Sequence, residues 1–80
     1  MFRVDVYEYE RGWGSRRDFS MYFRELVNAD KYVAKFNSRN TAASAPDWYM
    51  QANDPIIIRE LPSGEQLWED AQAEKAANDN

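Results

Sequence analysis

The chain predicts a small single α+β domain: a β-hairpin, a helix, one or two further strands in an antiparallel sheet, and a C-terminal helix. Three observations carry that reading. Two runs of alternating apolar residues flank a glycine-bearing connection at the front. An apolar stripe at helical spacing follows, and after it come three consecutive isoleucines and then a run of helix formers.

The hairpin spans Phe2 to Phe23. Phe2, Val4 and Val6 fall on one face of the first run, and Phe19, Met21 and Phe23 do the same in the second. Gly12-Trp13-Gly14-Ser15 connects them, which suits a turn needing positive φ. Tyr7 and Tyr9 lie on the opposite face unless a bulge intervenes, with Tyr22 across the hairpin. That second aromatic face is expected to pack under Trp68 of the C-terminal helix; the other reading is a binding surface.

The helix is expected to start at Asn28, whose side chain can accept from free N–H groups of the next turn. Asp30 then falls in the first turn, and Val27 with Tyr32 has the spacing of a hydrophobic staple. A start at Glu25 is the alternative. Ala29, Val33 and Phe36 form the apolar stripe, Lys31 and Lys35 lie off it, and Asn37 to Asn40 is a natural stop.

Thr41 to Ala45 is a small-residue connector, and Pro46 imposes an extended approach. Asp47 to Ala52 reads as a strand, either a core strand or one that turns Tyr49 to a ligand. Asn53-Asp54-Pro55 is a kink, and Ile56 to Leu61 is the strongest strand signal in the chain. Its isoleucines, with Phe19, Met21, Phe23, Val33 and Phe36, are the expected core. Ser63 and Gln66 have capping-box spacing before a helix over Glu65 to Ala77, docked through Leu67 and Trp68 and frayed over 72–80. The competing reading pairs Gln66-Leu67-Trp68 with the isoleucine strand through the Pro-Ser-Gly turn.

Composition narrows function. Eighty residues allow one domain, which buries too little surface to be very stable without a partner or a second copy. Cysteine and histidine are both absent, which removes disulfides and thiolate or imidazole metal ligation. No cofactor is expected. No leader pattern or apolar run of membrane-span length occurs, so the expectation is a cytoplasmic protein that does not engage a membrane. Net charge is −4, split as +2 over residues 1–40 (eight basic, six acidic) and −6 over residues 41–80 (two basic, eight acidic). That excess of acid argues against direct nucleic-acid binding. The acids of the second half are too few and scattered for a phosphate-backbone mimic and read as a solvated face.

Catalytic chemistry finds no support. Serine nucleophiles lack a histidine, no carboxylate has an evident tuning neighbour, and no phosphate-binding glycine loop occurs. The expectation is a non-enzymatic protein. Its sharpest local feature is Trp13 between glycines, beside Arg11, Arg16 and Arg17. Three readings stay open: an indole folded back over the sheet, an anchor in a protein interface, or a stacking platform for a base whose phosphate the arginines hold. Tyr7, Tyr9 and Tyr49 join Trp13 as candidate contact residues. Leu67 and Trp68 are candidates for a homodimer or partner contact.

In Tyr-Glu-Arg-Gly-Trp-Gly-Ser from Tyr9, Phe-Asn-Ser-Arg-Asn-Thr from Phe36 and Pro-Asp-Trp-Tyr-Met-Gln-Ala from Pro46, the chain resembles a group of small uncharacterised proteins of phages and prophages. The resemblance covers roughly residues 5–55 and brings no catalytic motif. It implies a viral accessory role in a bacterial host. Such proteins are often inhibitors of host defence, anti-CRISPR proteins among them, so it implies stoichiometric binding to a host protein complex. The alternatives are a nucleotide or small-ligand sponge and a self-associating structural phage protein.

Overall fold

The computed structural model describes residues 1–39 and 47–78. It is an α+β domain in the order β1 (Phe2–Glu10), β2 (Gly14–Phe23), α1 (Leu26–Arg39), β3 (Trp48–Ala52), β4 (Ile56–Ile57) and α2 (Trp68–Asn78). The four strands form one antiparallel sheet in the order β2-β1-β3, with β4 also paired to β1. Among the described residues no helix is long and apolar enough to cross a membrane. The connector Thr41–Ala45, Asn40, Pro46 and the last two residues, Asp79 and Asn80, lie outside the described residues.

The hairpin forms in the expected register, with Phe2, Val4 and Val6 opposite Phe23, Met21 and Phe19. A bulge at Asp18 then resets the pairing, so Tyr7 faces Arg17 and Tyr9 faces Ser15. At the turn, the Trp13 N–H donates to the Glu10 carbonyl at 3.0 Å, and Gly12 supplies the φ of +85° that a type II turn needs at its third residue.

Helix α1 covers the face that carries Val4, Val6 and Phe23, all fully buried, together with Ala29 and Ala52. Phe23 packs on Tyr32 (ring centroids 5.4 Å apart) and on Trp68 (5.8 Å). Burying Val4, Val6 and Phe23 contributes about 1.5–3 kcal/mol each. At its far end α1 is fixed by a side-chain amide: Asn37 Nδ2 donates to the Ala52 carbonyl at 2.9 Å, and the Ala52 N–H donates to Asn37 Oδ1 at 2.8 Å. Asn37 thus supplies the edge of β3 with the donor and acceptor a further strand would bring.

Several expectations are corrected. The helix begins at Leu26, so Asn28 is not its cap and Asp30 lies beyond the first turn. The reason is a carboxylate borrowed from α2: Glu69 accepts from the Arg24 N–H (2.9 Å), the Glu25 N–H (2.9 Å) and Asn28 Nδ2 (3.0 Å). With that acceptor in place the chain turns helical earlier, and Val27, 56% exposed, forms no staple. The isoleucine run yields only a two-residue strand, and Ile57 is 81% exposed. β3 takes Val6 to Glu10 of β1, the Asn53 N–H takes the Asp5 carbonyl, and β4 pairs with Phe2 and Arg3 at the end that remains. Phe19 likewise stays at the margin of the core, touching Phe36 edge-on.

The C-terminal helix starts at Trp68 and runs to Asn78, every residue from Gln72 onward exposed. Pro62 to Glu65 forms a turn instead of the first helical turn, with Gly64 at positive φ. Leu67 pairs with Tyr22 on the outer edge of β2, not with the isoleucine strand. Trp68 packs on Phe23, the core side that α1 also covers, and not on the tyrosine face, where Tyr22 is buried and Tyr7 and Tyr9 are half-buried.

Candidate functional site

Helix α1 ends beside Ala52, which pairs with Val6, yet β1 continues for four more residues. The distal end of the hairpin therefore projects past α1, and every residue from Glu10 to Phe19 is exposed. At its apex Trp13 is 84% exposed. A Cβ added to Gly12 or Gly14 would meet nothing within 4 Å, so both glycines are there for their positive φ and not for close packing. The indole does not fold back over the sheet.

On the face continuous with the core, Glu8 gathers donors from two strands. Trp48 Nε1 donates to Glu8 Oε1 at 2.7 Å, and Arg16 donates to Oε2 through Nη2 at 3.2 Å and Nε at 3.3 Å. The bond from Trp48 holds the Glu8 carboxyl below the usual carboxylate range; partial burial opposes this and Arg16 adds to it. This carboxylate ties β2 to β3 across β1. Beside it Trp13 lines a shallow hollow of about 250 Å³ with Glu10, Ser15 and Arg16.

The opposite face carries Tyr7, Tyr9 and Tyr49. Tyr9 stacks on Tyr49, its cross-strand partner, at 5.0 Å and 12°, and Tyr7 sits 6.4 Å from Tyr9. Arg17 stands opposite Tyr7 in register, and its side chain makes no hydrogen bond or ion pair with the described residues. Below them Asp5 accepts from Ser20 Oγ at 2.6 Å and pairs with Arg3 at 3.0 Å. Arg11 at the corner holds β3: its N–H donates to the Asp47 carbonyl at 2.8 Å, and the exposed side chains approach to 3.6 Å.

The predicted site residues thus divide. Trp13 and Arg16 share one face; Tyr7, Tyr9, Tyr49 and Arg17 share the other, and the sheet separates them. No single stack of Trp13 with Tyr7 and Tyr9 forms. Each face offers rings and guanidinium groups for contact. Leu67 is only 7% exposed and Trp68 half-buried, both against their own chain.

Residues that the sequence reading passed over form a second place of interest. Lys31, Lys35 and Arg39, exposed and one helical turn apart, flank a groove between α1 and α2 whose walls include Tyr32, Phe36 and Trp68. The spacing i, i+4, i+8 was the signal available. Burial pushes the Tyr32 phenol up from its ordinary value. Compared with family models, with curated proteins and with solved structures, the chain matches none.

Proposed function

We propose that this protein works without catalysis, by stoichiometric binding of a partner protein through the projecting end of the hairpin. The observation that carries the reading is Trp13, 84% exposed at the apex and held there by two glycines in a conformation other residues avoid. An exposed indole costs solubility and adds nothing to the core, whereas tryptophan and arginine dominate the energetics of protein interfaces. Arg16, already oriented by Glu8, stands beside it, and Arg17, whose side chain has no partner among the described residues, offers a second guanidinium on the opposite face of the same end. The resemblance to phage and prophage proteins supports a bacterial host as the source of the partner. It makes an inhibited defence complex, the anti-CRISPR kind included, the first class to test.

The experiment is capture from bacterial lysate with wild type and Trp13→Ala, identification of the retained protein, and calorimetry of the purified pair. A one-to-one complex weakened by Trp13→Ala is expected. Equal capture and equal affinity for both forms would remove the hairpin end from the interface.

A further inference from the structure

The groove between α1 and α2 is lined by cations and rings and by no carboxylate among the described residues. Lys31, Lys35 and Arg39 each step four residues along α1, so their charges stand in a row roughly 12 Å long. None of the three makes an ion pair with the described residues, although the chain carries a net −4. The acids at the groove's end are turned away: Glu69 is occupied by Arg24, Glu25 and Asn28, and Asp70 by Arg24. The hairpin end is arranged otherwise, with Arg11 and Arg16 each matched to an acid of its own.

A row of that length is longer than one carboxylate or phosphate can span, so it fits an anion with several acidic groups in line. The walls supply the second half of the specification. Tyr32 and Phe36 lie 5.9 Å apart and near parallel, with Trp68 across the groove, which suits a flat apolar body. The volume of about 540 Å³ is that of a small-molecule site. We propose that this groove binds a nucleoside polyphosphate, the base against the aromatic wall and the phosphates along Lys31, Lys35 and Arg39. The Tyr32 hydroxyl, protonated at neutral pH like any phenol, is a further donor to phosphate oxygen. The site uses none of the residues of the hairpin end, so it stands or falls independently of the partner surface proposed there.

Calorimetry on the whole chain tests it, with ATP, adenosine and inorganic tripolyphosphate as the three probes. ATP is expected to bind with a sub-millimolar Kd that weakens as salt rises, because the phosphates meet exposed cations. Adenosine and tripolyphosphate are each expected to bind at least ~10-fold more weakly than ATP, since stacking and ion pairing both contribute. The double change Lys31→Gln with Lys35→Gln, on exposed positions, should weaken ATP about 10-fold while the melting temperature without ligand holds. Gln72→Glu, which puts a carboxylate into the groove from the α2 side, should weaken it as well. The proposal is overturned by any one of three results. These are no heat and no melting shift at ~5 mM ATP, tripolyphosphate binding as well as ATP, or undiminished binding by the lysine double variant.

Discussion

The two ends of the hairpin are built from the same two strands and the same kinds of residue, yet one is a core and the other a free surface. At the base, Val4, Val6 and Phe23 are fully buried beneath α1. At the tip, every residue from Glu10 to Phe19 is exposed, Trp13 most conspicuously. Aromatic content does not separate them. What does is the reach of α1: a fourteen-residue helix is about 21 Å long, and its last turns are pinned to Ala52, level with Val6 and short of the tip. A side chain's fate on this sheet is set by its distance from Asn37 more than by its hydrophobicity.

The hardest way to break this contrast is at the base. Phe23→Ala removes the largest fully buried side chain, which touches Tyr32 and Trp68 and so joins β2 to both helices. The expected loss is about 3–5 kcal/mol, comparable with the whole stability of a domain this small. Urea unfolding followed by circular dichroism reads it; a loss below about 1 kcal/mol would mean the base is not the core.

Next comes Glu69, which joins the helices where the base is capped. Burial alone would raise its carboxyl, but hydrogen bonds from Asn28 and from the N–H groups of Arg24, Glu25 and Glu69 itself outweigh burial and bring it to about 2. Because the folded value lies below the unfolded one, the stabilisation is complete above about pH 4.5 and is lost as pH falls through the folded value. Glu69→Ala should cost about 1–2 kcal/mol at pH 7, in the range of a lost helix cap. The gap between wild type and variant should narrow on acidification from pH 4.5 toward 2. A gap independent of pH would mean that Glu69 acts through packing and not through its charge.

Glu69 also shows where the sequence stops being legible. The hairpin, the helix stripe Ala29-Val33-Phe36 and the strand around Tyr49 could be read because period and turn chemistry are local. The start of α1 was legible only as a choice between Asn28 and Glu25, and the structure, starting at Leu26, favours the second, because the acceptor that settles it arrives from more than forty residues away. The shortness of β4 was equally hidden: three isoleucines signal a strand, but pairing depends on how much of β1 remains after β3 has taken its share. At the candidate site, the glycines marked the turn but left open whether the indole projects or folds back; it is 84% exposed. The sequence placed Tyr7, Tyr9 and Trp13 together because faces cannot be assigned to a turn residue by alternation. The bulge at Asp18 and the bend at Gly12 decided it.

A smaller effect sharpens the account of the tip. Gly12 sits at φ of +85° with open space around its missing Cβ, so Gly12→Ala meets strain in the backbone and no clash. A cost of about 1 kcal/mol is expected, together with weaker partner binding as the apex reorients. Thermal melting and the captured complex measure the two parts. No change in either would show that the turn tolerates another conformation and that its glycines hold nothing in place.

Trp13→Ala is the smallest of these effects on folding and the most informative. With 84% of the residue in solvent, its removal should leave stability unchanged to within about 0.5 kcal/mol. If the apex is the anchor of an interface, the same change should weaken the complex by about 2 kcal/mol or more, roughly 30-fold in Kd. A core residue cannot give that pair of results, because truncating it lowers stability and binding together. Stability lost with binding intact would place the indole in the fold after all. The dissociation of the two readouts is therefore what distinguishes a surface kept for contact from a core that happens to lie at the edge.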